Sequence, residues 1–230
     1  MINLNKPFTC DHCGKAFARE STLIHHMCEP RRRAHAQHEP AVKLALRAYQ
    51  LWWHSLHPRQ TIPVNYAQFC QSDLYAAFVR TGAWSLEHQV QQFDAWVTWH
   101  TRHMTPVDRW CDGVAYAEYL KDLLQTEPAL QALARSLATA ENWSQLSGAR
   151  WQDLFRKGHP HVLCEWIKQG KISAWMLYNA PSAVEFLHKC TPEQLQIIQT
   201  TAPMHLWKIR FLRMSTDSEC VRSTLAEAGM

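Results

Sequence analysis

Apolar residues recur at intervals of three and four positions along most of the chain, which is the spacing of amphipathic helices. The first such stretch begins at Glu39-Pro40, since proline is favoured in the first turn of a helix, and ends before His57-Pro58. Between these points, apolar positions from Val42 to Leu56 form one stripe. The pattern therefore predicts an all-α body beyond residue 39.

Glycine and serine divide the next part of the pattern into separate helices. Short helices are expected at 66–71 and 73–81, and Gly82 is expected to end the second one. Ser85 has the residue type of an N-cap and would start a longer helix. His100 lies on the apolar stripe of that helix, so we expect a buried, hydrogen-bonded core histidine and not a ligand.

Proline and glycine also delimit a series of short helices in the C-terminal third of the chain. Gly170 is expected at a tight corner between two of them, with Ser173 capping the helix that follows. These helices are predicted at 149–156, 160–169, 172–179, 181–189, 192–200 and 203–213.

The charged residues suggest how the helical body is divided. The net charge is +5 for residues 1–60, −4 for 61–145, +5 for 146–213 and −2 for the remainder. The sign changes at Asn142–Gly148, which also interrupts the apolar pattern. We therefore expect a helical domain at 39–145, a basic helical domain at 146–214 and a flexible tail at 215–230.

The composition limits the class of protein. Seven glycines argue against an all-β protein, and eleven tryptophans within helical patterns are expected in the core. Because no apolar run reaches the length of a membrane span and no signal-peptide pattern is seen, we expect a soluble, cytoplasmic protein with no membrane partner. Five scattered cysteines are expected to be reduced thiols. No catalytic motif is found, so we expect no enzyme.

The strongest chemical signal lies near the N-terminus, where Cys10 and Cys13 stand at the spacing of a zinc knuckle. A phenylalanine and a leucine follow at fixed intervals, and His26 comes after a gap of twelve residues. The pattern Cys-x2-Cys-x3-Phe-x5-Leu-x2-His is typical of a Cys2His2-type zinc finger. Zn²⁺ supplies folding energy that so short a segment lacks. We predict a ββα zinc finger at 1–30.

The fourth ligand departs from the usual pattern, because proline and arginine occupy positions 30–32, where the second histidine is expected. We rank Cys28 together with His26 first. This pair is two residues apart and cannot share a helix face, so the helix is expected to end near Met27. The alternatives are His25 with Cys28, and a looped-back His35 or His38.

Residues in and beside the finger indicate nucleic acid. In fingers of this type, bases are contacted from just before the helix and from three and six residues into it, which here are Arg19, Thr22 and His25. Arginine can bind guanine, whereas threonine and histidine are permissive. The other expected contacts are with phosphates, from Arg31, Arg32 and Arg33 in a predicted basic linker at 31–38 and from Lys168 and Lys171 in the basic helical domain.

The segment 6–28, with its Lys6-Pro7-Phe8 lead-in, resembles a Cys2His2-type zinc finger. With its His-Met-Cys ending and the arginines behind it, it resembles uncharacterised phage proteins of similar length. The helical remainder resembles the replicative-helicase loader of T-even-type bacteriophages, although that loader has no finger. The segments that carry this resemblance are Ala115-Tyr-Ala-Glu-Tyr-Leu-Lys-Asp-Leu-Leu124, Asp153-Leu-Phe155 with Pro160, and Ile167-Lys-Gln-Gly-Lys-Ile-Ser173. The resemblance implies binding to forked or single-stranded DNA and contacts with a helicase and a single-strand-binding protein.

Three functional hypotheses follow. The first is a DNA replication or recombination accessory factor, which predicts structure-selective binding and a steep dependence on salt. The second is a transcription regulator in which Arg19 contacts a base and the helical body binds RNA polymerase. The third is a protein-interaction module, such as an inhibitor of a host enzyme, which predicts no affinity for nucleic acid.

Overall fold

The computed structural model describes residues 8–230, so the Lys6-Pro7 part of the finger lead-in lies outside the described residues. The described chain is mostly helical, with one antiparallel two-stranded sheet, β1 (Phe8–Thr9) and β2 (Ala16–Phe17), which confirms the predicted fold class. Within residues 8–230, no helix is long and apolar enough to cross a membrane. The helices are α1 (Glu20–His25), α2 (Glu29–His35), α3 (Pro40–Leu56), α4 (Tyr66–Gln71), α5 (Tyr75–Glu87), α6 (Phe93–Arg102), α7 (Gly113–Thr126), α8 (Ala129–Ser147), α9 (Leu154–Lys157), α10 (Pro160–Lys168), α11 (Ala174–Asn179), α12 (Ala183–Lys189), α13 (Pro192–Thr201), α14 (Met204–Arg213) and α15 (Ser215–Glu227).

The chain divides into two compact units, Met1–Tyr116 and Ala117–Met230. The division falls within α7, whereas the boundary expected from the sequence, at 145/146, lies inside α8. The segment at 142–148 is not a linker, because α8 continues to Ser147 and ends at Gly148. Gly148 has a φ of 71°, the left-handed conformation that glycine adopts at helix ends. The change of charge sign therefore coincides with a helix terminus.

In the first unit, α3 and α5 pack closely, and this packing overrides two expected helix ends. Gly82 lies inside α5, because a Cβ atom there would stand 2.0 Å from the carbonyl oxygen of Ala41 on α3. Ser85 also lies inside α5, where its hydroxyl donates a 2.7 Å hydrogen bond to the carbonyl oxygen of Thr81. The predictions of a stop at Gly82 and a cap at Ser85 are therefore wrong.

An aromatic cluster surrounds His100 in the core of the first unit. The imidazole stacks on the Trp110 ring with 5.1 Å between centroids and meets the Trp96 ring edge-on, and all three side chains are fully buried. The predicted burial of His100 is confirmed, but neither ring nitrogen has a hydrogen-bond partner within residues 8–230. Burial lowers the pKa of His100 to about 4, so the ring is neutral near pH 7.

Between residues 149 and 213 the second unit has short helices close to the predicted positions, and the core of this unit includes Trp175. Gly170 has a φ of 73° at the corner after α10, and the Ser173 hydroxyl accepts a hydrogen bond from the backbone N–H of Met176. Both predicted signals are thereby confirmed. The segment expected to be a flexible tail forms α15 instead, because its polar sequence has one apolar face that buries Val221 and Leu225 completely.

Candidate metal centre and nucleic-acid interface

The turn between β1 and β2 positions the first two candidate ligands. The N–H of Cys10 donates to the carbonyl oxygen of Lys15 at 2.9 Å, and the N–H of Gly14 donates to the carbonyl oxygen of Cys10 at 2.8 Å. Gly14 has a φ of 69°, which this tight turn requires and glycine adopts without strain. The turn thereby brings the sulfur atoms of Cys10 and Cys13 into one cluster.

The chain between α1 and α2 explains how His26 and Cys28 act together. α1 ends at His25, and His26 has an extended backbone with φ −71° and ψ 119°. Cys28 is also extended and is the N-cap residue of α2, whose first turn contains Pro30. Alternate residues of an extended segment point to the same side, so a spacing of two suits a pair of ligands. The predicted early end of the helix is confirmed, two residues before Met27.

The ligand atoms of Cys10, Cys13, His26 and Cys28 all lie within 4.8 Å of one another. The sulfur atoms of Cys10 and Cys28 are 3.9 Å apart, and Cys13 Sγ lies 3.3 Å from His26 Nε2. A tetrahedral zinc ion with bonds of about 2.3 Å to sulfur requires separations of about 3.8 Å between sulfur ligands. The four side chains therefore have the spacing and the composition of a closed Cys3His metal site.

Two thiols of this cluster, Cys10 and Cys13, have pKa values shifted in opposite directions. Desolvation opposes ionisation of Cys10, but hydrogen bonds from the backbone N–H groups of His12 and Cys13 and from the side chains of Cys13 and Cys28 together lower the pKa of Cys10. The backbone N–H of Lys15 favours the Cys13 thiolate, yet desolvation and the neighbouring sulfur atoms of Cys28 and Cys10 raise the pKa of Cys13. Neighbouring thiolates repel one another, and a coordinated metal ion favours the thiolate form of its cysteine ligands.

The alternative fourth ligands lie outside the cluster. His25 is exposed in the last turn of α1, and His35 at the end of α2 places its ring 6.3 Å from the ring of His12. His38 ends a short 3₁₀ segment after α2. Within residues 8–230, the Cys10 cluster is the one group of Cys, His, Asp and Glu side chains with the geometry to hold a metal ion. The geometry thus favours Cys28 as the fourth ligand.

The predicted base-contacting residues are Arg19, the N-cap residue of α1, and Thr22 and His25 within the helix; they follow one another at three-residue spacing and are all exposed. Thr22 and His25 border a shallow depression that also includes Phe17 and Ser21. Within residues 8–230, none of the three predicted side chains makes a hydrogen bond or an ion pair. They are therefore available to an external partner.

Arg31 has an internal role that the sequence analysis missed. Its Nη1 atom donates to the carbonyl oxygens of Leu23, Ile24 and His26, at 3.1, 3.2 and 2.7 Å. These are carbonyl groups at the end of α1, where donors within the helix run out and the N–H of His26 reaches only the Leu23 carbonyl. The segment expected to be a linker is itself helical, and it folds back so that Arg31 caps the finger helix instead of facing a phosphate.

Arg33 and Arg32 also differ in whether their guanidinium groups are held within the protein or exposed. Arg33 donates a 2.9 Å hydrogen bond to the carbonyl oxygen of Cys70 and lies over the Tyr75 ring, so it attaches α2 to the helical body of the first unit. Arg32 pairs with Glu29 at 2.7 Å, but its side chain remains 64% exposed. Of the three arginines, Arg32 is the one that keeps an exposed cation for a phosphate.

The two predicted lysine contacts belong to the second unit, whereas the finger belongs to the first. Lys168 Nζ lies 3.7 Å from a carboxylate oxygen of Glu165, and its side chain is 60% exposed. Burial lowers the pKa of Lys171, whose backbone carbonyl accepts a hydrogen bond from the Thr139 hydroxyl. Lys168 is therefore the more accessible cation of this pair.

Two exposed apolar side chains on the finger were also missed. Ile24 is 60% exposed and Met27 is 55% exposed, although such side chains are usually buried. The sequence carries a signal for the first of them. Because Leu23 occupies the core position of the finger pattern, its neighbour on a helix must face outward.

Fold and site together define the class: a mostly α-helical protein whose N-terminal ββα unit carries a Cys3His cluster able to hold a metal ion. No family model matches the chain, and no curated protein or solved structure is significantly similar to it. The likeness to a zinc finger accordingly depends on the residues of the cluster and their geometry.

Proposed function

We propose that Cys10, Cys13, His26 and Cys28 bind Zn²⁺ as a structural site. Thiolate and imidazole ligands in a tetrahedral arrangement favour zinc, and four protein ligands leave no open position for a substrate or a reactive water. Among residues 8–28, Cys10 alone is fully buried, so the unit has almost no apolar core of its own. The metal would then supply much of its folding free energy.

We further propose that the protein is not an enzyme and binds DNA through the exposed face of α1. The observation that carries this proposal is the row formed by Arg19, Thr22 and His25, which is exposed, has helical spacing and lacks partners within residues 8–230. The guanidinium of Arg19 has the donor geometry that fits guanine, and Arg32 adds an exposed cation for a phosphate. A single finger provides a small interface, so other parts of the complex must contribute to affinity.

A replication or recombination accessory factor is the biological role we favour. Forked or single-stranded DNA as ligand, and a replicative helicase and a single-strand-binding protein as partners, come from the resemblance of 115–124, 153–160 and 167–173 to the phage helicase loader. Lys168 would add a phosphate contact from the second unit. A transcription regulator that contacts RNA polymerase is the alternative within the same class, and it would use Arg19 for one duplex sequence.

A protein-binding finger is the second candidate function, and the exposure of Ile24 and Met27 favours it. Covering exposed apolar side chains with a protein partner is energetically favourable, whereas such side chains contribute little to DNA binding. In this case, the finger would be a rigid module that binds another protein, for example to inhibit a host enzyme.

The decisive experiment is binding of the zinc-loaded full chain to four labelled DNAs, namely a single strand, a duplex, a fork and a random-sequence pool, at two salt concentrations. Preference for the fork or single strand without an enriched sequence would support the accessory factor. An enriched duplex sequence would support the regulator. No binding at either salt concentration would exclude both and leave the protein-binding finger.

Three arginine variants with the same change of charge test whether DNA binding depends on the region of α1. Arg19→Ala and Arg32→Ala each remove an exposed cation of the finger, and each is expected to weaken binding by about tenfold at low salt. Arg102→Ala removes an exposed cation at the end of α6 and is the control, expected to bind like the unmodified chain. Equal losses in all three variants would indicate a nonspecific effect of net charge and would contradict the assignment to α1.

A further inference from the structure

The second unit contains a cavity of about 520 Å³ between α7, the end of α13 and α14. Leu124 of α7 and Leu206, Trp207 and Ile209 of α14 provide its apolar wall. A volume of this size is typical of ligand-binding sites, which are mostly apolar with a few placed polar groups. The metal cluster and the exposed face of α1 contribute nothing to this cavity, so it calls for a separate explanation.

Three cations line the cavity, and no carboxylate does. Lys121 and Arg213 are exposed and form no salt bridge within residues 8–230. Arg210 lies deeper: it donates to the carbonyl oxygen of Leu124 at 2.7 Å and stacks over the Trp207 ring, and the carboxylates of Glu127 and Asp217 act on it electrostatically. Lys121 and Arg213 are therefore the two unpaired cations, and unpaired positive charge beside an apolar wall favours an occupant that carries negative charge.

The apolar wall of the cavity is open to solvent along one face of α14. Leu206 and Ile209 are 50% and 48% exposed, and they stand at positions i and i+3 with Arg213 at i+7. Side chains of this type are normally buried, and here two of them face solvent at helical spacing. The occupant should therefore present apolar side chains that cover this helix face.

We propose that this surface binds an acidic amphipathic helix of a partner protein, with its apolar side chains against Leu206 and Ile209 and its carboxylates against Lys121 and Arg213. Helices bind apolar grooves in this way, through anchors at three- and four-residue spacing. Charge complementarity selects the acidic segment. Nucleic acid fits less well, because Trp207 is only 5% exposed and offers no ring face on which a base could stack.

The test is a selection on the zinc-loaded full chain from a displayed library of random peptides of about 16 residues, roughly four helical turns. The most enriched peptide is then synthesised with a fluorophore, and its dissociation constant is measured by anisotropy. Enrichment of peptides with net negative charge and apolar residues at helical spacing is the expected result. No enrichment, or enrichment of neutral or basic peptides, would overturn the proposal.

Two pairs of variants on α14 locate the binding surface. Arg213→Glu and Ile209→Ser alter the cavity side, and they are expected to weaken binding of the selected peptide by about tenfold and about fivefold. Lys208→Glu and Leu212→Ser make the same changes at exposed positions of α14 that do not line the cavity, and they are expected to change it by less than about twofold. Equal effects of Arg213→Glu and Lys208→Glu, or of Ile209→Ser and Leu212→Ser, would contradict the assignment.

Two further measurements distinguish other occupants. Displacement of the peptide by a single-stranded oligonucleotide, with the same dependence on Arg213 and Ile209, would assign the surface to nucleic acid. Self-association in sedimentation experiments that is lost in the same two variants would assign it to a second copy of the chain. Either result would overturn the proposal of a partner helix, whereas a monomer with no displacement would support it.

Discussion

The guanidinium of Arg31 donates a 2.7 Å hydrogen bond to the carbonyl oxygen of His26, the C-cap residue of α1, which provides the imidazole of the Cys3His cluster. The last carbonyl groups of a helix find few donors within the helix itself, and those of Leu23, Ile24 and His26 all accept from Arg31. A cation at the C-terminal end of a helix is also electrostatically favourable. Arg31 therefore holds the backbone from which His26 reaches the metal site.

Removal of this cap is expected to weaken metal binding without removing a ligand. Arg31→Ala should lower zinc affinity by about tenfold, since charge-assisted hydrogen bonds of this kind contribute about 1–3 kcal/mol. Competition with a chromophoric chelator measures the affinity. Arg32→Ala is the matched control, because its ion pair with Glu29 is exposed and contributes little. Equal losses in the two variants would indicate an effect of charge alone.

Substitution of the fourth ligand tests the Cys3His assignment directly. Cys28→Ser should lower zinc affinity by more than about tenfold, because the closed tetrahedral site loses a thiolate. Cobalt(II) substitution gives a second readout, since charge-transfer absorption decreases with each lost sulfur ligand. Cys220→Ser, an exposed cysteine outside the cluster, is the control. Undiminished affinity in Cys28→Ser would move the fourth position to a histidine.

Removal of zinc should affect the first unit unevenly. With a chelator, residues 8–28 are expected to lose their hydrogen-exchange protection, because they depend on the metal for stability. Protection should persist in α3 and α5, and α2 should stay attached from Arg33 onward, since Arg33 is held by the Cys70 carbonyl and the Tyr75 ring. A cooperative loss of protection in α3 would show that the finger and the helical body fold as one unit.

The features that could be predicted from the sequence are the ones that depend on nearby residues. Ser173 and Gly170 act within one turn of the helices that they cap or end, so their residue types suffice. The cluster residues Cys10, Cys13 and Cys28 are equally local, since the short finger brings them together by its own turns. Each of these predictions required only the spacing along the chain.

The features that could not be predicted depend on residues far away in the sequence. The role of Arg33 requires the Cys70 carbonyl, and nothing in the run of three arginines distinguishes it from its exposed neighbour Arg32. The cavity cation Arg210 similarly depends on the Leu124 carbonyl of α7. Propensity rules describe a helix in isolation, whereas these contacts arise from packing between helices.

The position of Gly82 inside α5 also depends on a residue far away in the sequence, and this contact leads to a prediction about stability. A Cβ atom there would lie 2.0 Å from the carbonyl oxygen of Ala41, so Gly82→Ala should push α5 away from α3. We expect a loss of about 3 kcal/mol or more in the free energy of unfolding, measured by urea denaturation. Gly113→Ala is the control, because its Cβ would have no neighbour within 4 Å. An unchanged Gly82→Ala variant would contradict the close packing of α3 and α5.

His100 should make the stability of the first unit depend on pH. Its pKa of about 4 in the folded state lies below the ordinary value of 6.5, because burial disfavours the charged ring and nearby His103 adds to the effect. Between these two values the unfolded chain binds more protons, so stability is complete above about pH 6.5 and is lost as the pH falls toward 4. The expected loss is about 3 kcal/mol.

His100→Phe keeps an aromatic ring in contact with Trp96 and Trp110 but removes the titrating group, so it should abolish this part of the pH dependence. Denaturant unfolding of the variant and of the unmodified chain at several pH values measures the contribution of His100 as the difference between their free energies of unfolding. Protons also compete with the metal for its ligands, but this effect is the same in both proteins and cancels in the difference. His161→Phe, at an exposed position of α10, is the control and should retain the full dependence. If His100→Phe lost as much stability at low pH as the unmodified chain, the buried imidazole would have to be charged or hydrated in the folded state, and the neutral ring stacked on Trp110 would be the wrong description of this core.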